Sequence, residues 1–301
     1  MRKDEIIVGY PITTKTGEEC IAAMAEWIAK ESISRSPSPP PSPSGGEGCN
    51  ISPPLRGGDE GEGALCGFTN DRINKSGLKA KYLVCANPHS LEVALKDPLF
   101  DQAIKSADFA VPDGIGIVMA SRILGGSIRE RITGMDIFLG LSRELHRAGG
   151  FRYFFLGSIP ETLEKIKAKM AVDFPNISVA GTYSPPYKPA FTEEDNRKMI
   201  EAVNTAKPDV LWVGMTAPKQ EKWVYQNREK LNVKFIGPIG AVFDFYTGNV
   251  KRSHPAFQKL GLEWLPRFIR NPRRLWRRNF ISNPRFLFRV IISGMKGSMK
   301  K

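Results

Sequence analysis

From Leu78 onward, short apolar runs alternate with longer stretches in which apolar residues recur every three or four positions. The runs YLVCA (82–86), FAVP (109–112), YFFLG (153–157), SVAGT (178–182), DVLWVG (209–214) and KFIG (234–237) lack the alternation of a half-exposed strand and predict strands covered on both faces. Amphipathic helices are predicted between them, over 90–105, 115–124, 134–148, 160–173, 192–206 and 218–231. Ahead of this series, Glu5 to Thr13 predicts a short strand and turn, and Ile21, Met24, Ala25 and Ile28 give 20–29 a helical spacing.

Buried strands separated by helices predict an α/β fold, with a mainly parallel, doubly wound, Rossmann-like sheet. The pattern fails in one place. Between Ser32 and Phe68, 22 of 37 residues are Ser, Pro or Gly, a composition that cannot bury enough apolar surface to fold. Four segments are therefore expected: 1–31 as an N-terminal strand and helix belonging to the α/β body, 32–77 as a disordered insertion, 78–250 as the rest of that body, and 251–301 as a basic helical appendage.

Charge separates the last segment from the rest. Residues 251–301 hold 14 Lys and Arg against the single acid Glu263, a net of +13 that equals the formal charge of the whole chain; residues 1–250 balance 30 against 30. Such segregation predicts an anionic partner for the appendage. The N-terminal residues contain no apolar signal segment, and no run reaches the roughly 18 residues of a membrane span, so a cytoplasmic protein or one on the inner membrane face is expected. Cys20, Cys49, Cys66 and Cys85 show neither zinc-site spacing nor a disulfide framework.

Ligands of doubly wound sheets bind at the carboxyl ends of the strands, which directs attention to five loops. Their first residues are Asn87-Pro88-His89, Asp113-Gly114-Ile115-Gly116, Gly157-Ser158-Ile159-Pro160, Met215 to Gln220 and Pro238 to Asp244. Glycine and proline there permit tight turns that aim backbone N–H groups at a phosphate. Asp113 reads equally well as a general base or as the N-cap of the helix at 115–124, and Asp244 has the same ambiguity. Gln220 and Lys219 read, on their own, as a solvated helix turn. Arg131, Thr133, Gly134 and Asp136 read as a capping cluster. His89, His146 and His254 are too scattered for a metal site and are expected to be structural. No GxGxxG follows the first strand, which argues against a dinucleotide oxidoreductase. No DxD occurs either, so no cofactor and no metal are expected.

The ordered strings CANPHSLEVALKDPLFDQAIKSADFAVPDGIGIVMASRILGG, RITGMDIF, FFLGS, GMTAPKQEKW and IGAVFDFYTG resemble those of the WecG/TagA/CpsF glycosyltransferases, glycosyltransferase family 26. The resemblance runs from about Leu78 to Arg278 and implies an inverting transfer from a UDP-sugar to undecaprenyl-diphosphate-linked GlcNAc. It implies N-acetylmannosamine as the sugar in teichoic acid linkage-unit synthesis, and the corresponding uronic acid in enterobacterial common antigen synthesis. Position by position, it marks Asp113 as the catalytic base, Asn87 as its neighbour, Gln220 as a contact to sugar or diphosphate, and Asp244 as lying near the nucleotide. Arg131, Gly157 and Lys219 join them as candidate substrate-binding positions. Cys85 stands where relatives often carry a threonine, and a thiol is the weaker hydrogen-bond donor.

The appendage interleaves Trp264, Leu265, Phe268, Ile269, Leu275, Trp276, Phe280, Phe286 and Phe288 with arginines, in helical segments broken at Pro266, Pro272 and Pro284. This composition suits an anionic bilayer surface, and by itself suits a nucleic acid equally. The resemblance favours the membrane over nucleic acid. It also implies that the appendage folds over the active site, with Arg267, Arg270, Arg273, Arg274, Arg277 and Arg278 as candidates to bind diphosphate. A homo-oligomer is compatible with this picture.

Overall fold

Each predicted apolar run forms a strand, and all but SVAGT are largely enclosed from both sides; that run lies at an edge of the sheet, with Ser178 exposed and its other residues partly covered. In the computed structural model, which describes residues 4–33, 80–250, 273 and 276–298, the body is a six-stranded parallel sheet flanked by helices. Its strands are β3 (Lys81–Ala86), β4 (Phe109–Pro112), β5 (Phe151–Gly157), β6 (Ile177–Tyr183), β7 (Val210–Gly214) and β8 (Phe235–Pro238). They lie in the order β4-β3-β8-β7-β5-β6. The expected Rossmann-like α/β class is the observed one.

Two apolar layers cover the sheet. On one face, α2 (Pro88–Ala94), α3 (Pro98–Lys105), α4 (Ile115–Ile123), α7 (Glu193–Ala206) and α8 (Lys219–Asn227) bury Leu91, Phe100, Ile117, Met199 and Trp223. On the other, α1 (Gly17–Ile33), α5 (Gly134–Ala148), α6 (Pro160–Asp173) and α9 (Val242–Tyr246) bury Met24, Phe138, Leu163 and Phe243. Trp212 lies at the centre of the second layer, edge-on to Phe138 at 5.2 Å, Tyr153 at 5.8 Å and Phe235 at 6.2 Å. Its indole fills the space where a Cβ on Gly237 would stand, 2.2 Å away. Glycine on β8 is thus the counterpart of tryptophan on β7.

Several boundaries differ from expectation. The N-terminal segment forms two strands, β1 (Asp4–Ile7) and β2 (Tyr10–Thr13), paired as an antiparallel hairpin, because Val8 and Gly9 both adopt positive φ and turn the chain. β2 packs beside the edge strand β4, with Ile7, Tyr10 and Ile12 buried. The helix expected over 90–105 is two helices: Asp97 caps the second and Pro98 occupies its first turn. The helix expected over 218–231 ends at Asn227, and a 3₁₀ turn (Arg228–Lys230) completes the connection. Ser32 and Ile33, assigned by composition to the insertion, are the last residues of α1, while 34–77 lies outside the described residues.

In the appendage, a π-helical turn (Arg277–Ser282) leads into α10 (Asn283–Ser298). Pro284 starts this helix rather than breaking it, since an N-terminal proline removes no intrahelical hydrogen bond. α10 packs on α2 and α4 through Phe286 and Val290, both joined to the first core layer. Arg289 pairs with the buried Glu92 of α2 at 2.9 Å, and His89 Nδ1 meets Ser282 Oγ at 2.9 Å. The breaks expected at Pro266 and Pro272 lie outside the described residues.

Candidate active site

β3 and β4 end side by side at the carboxyl edge of the sheet, with Cys85 opposite Val111 and Ala86 opposite Pro112. The chain then turns at Asn87 and at Asp113. Asp113 N–H donates to Ala86 O at 2.8 Å, so the corner stays tied to the neighbouring strand. Ile132 N–H donates to Pro112 O at 2.9 Å, which brings Arg131 to the same corner. Two glycines make this geometry possible. Gly114 has φ 110°, open to glycine but strained for other residues, and Gly116 packs so closely on Pro88 that a Cβ would lie 2.5 Å from Pro88 Cγ.

Helix capping divides the rim into two kinds of terminus. Asn87, Asp97, Thr133 and Thr192 accept hydrogen bonds from the first turns of α2, α3, α5 and α7. The helices that directly follow β4, β5, β7 and β8 begin at Gly114, Ile159, Pro218 and Ala241 with no side-chain cap. The N-cap position of α4 is held by Gly114, one residue after Asp113. Asp244 is not a cap either; it is half-buried inside the first turn of α9. The starts of α4, α6 and α8 place backbone N–H groups and the positive ends of helix dipoles at one edge, where an anion would sit, whereas the first N–H groups of α9 are bonded to Ile239 and Gly240.

The loop after β7 adds a polar group that is buried rather than solvated. Gln220 and Glu221 are each 5% exposed, in contrast to the exposed helix turn expected there. Gln220 Oε1 accepts from Met215 N–H at 3.3 Å, and its Nε2 donates to Glu221 Oε1 at 2.8 Å. Burial pushes the Glu221 carboxyl up to about 7, an effect the Gln220 hydrogen bond partly opposes. Cys85 responds to the same surroundings: burial first, then the charges of Asp113, Glu221 and Asp136, raise its thiol well above the ordinary value. The thiol at 85 is thus neutral, and three carboxyl groups converge electrostatically on this end of β3.

Comparison with known proteins fits this geometry to a family. Residues 64–300 match the Glycosyl transferase WecG/TagA/CpsF family. The chain belongs to this family. Similar proteins include the N-acetylglucosaminyldiphosphoundecaprenol N-acetyl-beta-D-mannosaminyltransferases of Bacillus spizizenii strain W23, 35% identical over 66% of this chain and 75% of that one, and of Bacillus subtilis strain 168, 33% identical over 64% and 72%. The protein of the same name from Staphylococcus aureus strain MW2 is 28% identical over 65% of this chain and 74% of that one.

In this WecG/TagA/CpsF chain, Cys85, Asn87, Asp113 and Arg131 come together at the ends of β3 and β4, while Gln220 follows β7, separated from β3 by β8. Asn87 also closes a capping box with Ser90, so its backbone-organising role is observed directly. Thr133 and Asp136 form the expected box on α5, with Asp136 N–H to Thr133 Oγ1 at 3.3 Å and Thr133 N–H to Asp136 Oδ2 at 2.9 Å. Gly157 ends β5 at φ 114°, where a Cβ would lie 2.6 Å from Gly214 O; its glycine lets two strand ends converge. Lys219 turns its ammonium toward Lys188 O and the Phe191 ring, 3.5 Å from the ring centroid. Arg267, Arg270 and Arg274 lie outside the described residues, as do the side chains of Arg277 and Arg278; Arg273 is exposed. His146 accepts from Asn176 N–H at 3.2 Å, consistent with a structural role, while His254 lies outside the described residues.

Sequence reasoning missed Glu221. The signal was present in the adjacent Gln220-Glu221 pair, but nothing in the spacing said that a helix start at a sheet edge would be enclosed. It also gave no indication of the Arg289–Glu92 pair, because a salt bridge between residues 197 positions apart requires the tertiary packing of α10 on α2.

Proposed function

We propose that this glycosyltransferase moves N-acetylmannosamine from a UDP-sugar to GlcNAc-diphosphoundecaprenol, with inversion at the anomeric carbon. The names of the relatives supply the acceptor and the sugar. The observation that carries the reading is the placement of Asp113 at the sheet rim, beside Asn87 and one residue ahead of the N-cap position of α4.

In this mechanism Asp113 takes the proton from the attacking acceptor hydroxyl while UDP departs from the opposite face of the sugar. The charge that develops on the β-phosphate is met by the uncapped starts of α4, α6 and α8 and by arginines of 251–301, without a divalent metal. Gln220 and Asp244 contact the donor from the ends of β7 and β8. A neutral thiol at Cys85 packs at the rim without adding another negative charge.

The acceptor is a membrane lipid, and the appendage side of the molecule suits a peripheral position on an anionic bilayer. On α4, Ile115, Met119 and Ile123 recur one turn apart and are 44–45% exposed. On the adjoining appendage, Trp276, Phe280, Phe288, Ile291 and Met295 are exposed as well, with the Trp276 and Phe280 rings stacked at 4.9 Å. No described helix is long and apolar enough to cross a membrane. Rings inserted at headgroup level beside a net charge of +13 in residues 251–301 give both apolar and electrostatic attraction.

The direct test incubates the protein with UDP-N-acetylmannosamine and a GlcNAc-diphospholipid analogue, with and without EDTA. UDP release and disaccharide formation that persist in EDTA are expected. Failure to release UDP from that donor, its uronic acid, UDP-GlcNAc or UDP-glucose overturns the assignment; activity abolished by EDTA and restored by a divalent ion overturns its metal independence.

A further inference from the structure

Consecutive residues of a helix point about 100° apart, so neighbouring side chains seldom meet. Gln220 and Glu221 are an exception. Both are enclosed at the first turn of α8, and the 2.8 Å bond between them closes a short chain that runs from Met215 N–H through the Gln220 amide to Glu221. A backbone N–H only donates, so the Gln220 atom that faces Met215 N–H is the amide oxygen. Met215 therefore dictates which way round the Gln220 amide stands: its oxygen toward Met215, its NH₂ toward Glu221.

The orientation matters because the amide is not exhausted by these bonds. One N–H and one carbonyl lone pair remain available. Gly240, at φ 53° in the loop after β8, abuts the amide, and a Cβ there would lie 3.5 Å from both its nitrogen and its oxygen and 3.1 Å from Met215 O. Glycine keeps that side uncrowded. On the other side, Glu221 Oε2 is buried and has no hydrogen-bond partner among the described residues. A purely structural buried side chain that leaves an oxygen unbonded weakens the fold, and an apolar residue of the same shape would not.

We propose that Glu221 is a positioning residue for the donor: it fixes the Gln220 amide so that the spare N–H and lone pair are presented to the UDP-sugar at the carboxyl edge of β7. This rests on the glycosyltransferase reading given above. Glu221 acts through Gln220 rather than on the reacting atoms, and the burial of both side chains holds the pair in one geometry.

The test measures UDP-N-acetylmannosamine binding by calorimetry, without acceptor, for wild type, Glu221→Leu, Glu221→Gln, Gln220→Ala and the Gln220→Ala/Glu221→Leu double variant. Glu221→Leu is expected to weaken binding about tenfold, the loss attached to one hydrogen bond to a charged group. Glu221→Gln, whose oxygen still accepts from Gln220, should remain within about threefold of wild type, on the scale of a neutral hydrogen bond. Once Gln220 is alanine, Glu221→Leu should cost nothing further. Unchanged affinity in folded Glu221→Leu, an equal loss with and without Gln220, or a wild-type chain that binds no UDP-sugar overturns the proposal. Should the leucine variant fail to fold, the Gln220 side-chain NH₂ resonances, assigned by their absence in Gln220→Ala, give the answer in the wild-type chain. Shifts on adding donor support the proposal, and unmoved resonances overturn it. Because binding is read without acceptor, normal donor binding with no turnover overturns the transfer reaction while leaving the positioning role standing.

Discussion

Arg289 of α10 reaches the buried carboxyl of Glu92 on α2 at 2.9 Å, across a helix interface anchored by Phe286 and Val290. The pair joins the basic appendage to the helix that starts immediately after Asn87. Removing the arginine leaves a carboxylate, 6% exposed, without its cation. Because the Arg289 end is half exposed, Arg289→Ala is expected to cost about 1–2 kcal/mol, below the value for a fully buried pair. Phe286→Ala should cost more, about 3–5 kcal/mol, through the cavity it leaves against the core. Urea unfolding followed by circular dichroism checks both, and an Arg289→Ala curve superimposed on wild type would show that the appendage is held without this pair.

Asp113→Asn should lower kcat by about 10²–10⁴, the range associated with loss of a general base, while UDP affinity stays near wild type. The asparagine keeps the size of the side chain, and the backbone bond from residue 113 to Ala86 is unaffected. Steady-state turnover together with UDP titration separates the two quantities. Retained turnover removes Asp113 from the base role.

The strands and most helices were legible because each is a local decision. The bounds of α5 and α6 follow from Thr133 and Gly149 and from Pro160, residues whose backbone preferences act within one turn. Asp97-Pro98 carried an equally local signal for ending one helix and starting another, hidden by the continuous apolar spacing across it. Strand order is different in kind. Nothing in KFIG says that β8 lies between β3 and β7, since pairing is chosen by the packing of whole layers. The site divides the same way: Asn87, Asp113 and Gln220 stand in recognisable strings, whereas the enclosure of Glu221 is a property of several elements meeting.

That enclosure gives a pH dependence with a defined sign. Glu221 has an ordinary value of 4.5 and is raised to about 7 in the fold. Between those values the native chain holds a proton that the unfolded chain has released, so stability falls as pH rises through the window and the penalty is complete above it. The shift corresponds to about 3 kcal/mol. Glu221→Gln removes this titration. Urea midpoints measured from pH 4.5 to 8 should therefore show the variant gaining on wild type by about that amount, and parallel curves would show that Glu221 does not titrate in this range.

Gly116→Ala should disturb the site from outside it. The new methyl group would lie 2.5 Å from Pro88 Cγ, a distance that requires α4 and α2 to separate. Overpacking of this kind costs about 1–3 kcal/mol, and the chain should remain folded. The displacement acts on the two helices that begin after Asp113 and Asn87, so turnover should fall more than UDP affinity. An unchanged kcat in a folded Gly116→Ala protein would show that the close contact is dispensable for the alignment.

The exposed stripe on α4 separates membrane attachment from catalysis. Truncating the appendage would strip Phe286 and Val290 from the core and confuse the two, whereas Met119 and Ile123 stand 45% exposed on the surface of α4. Met119→Glu with Ile123→Glu places two negative charges on the surface proposed to face anionic lipid, at a stability cost of at most about 1 kcal/mol for two exposed positions. Each charge near such a surface is worth about 1 kcal/mol, and the lost apolar contact adds to it. Co-sedimentation with anionic vesicles should therefore weaken at least about thirtyfold, the equivalent of 2 kcal/mol. Turnover of a water-soluble acceptor analogue should hold within about twofold, because neither side chain is needed to position Asp113. Undiminished vesicle binding would move the docking surface away from α4.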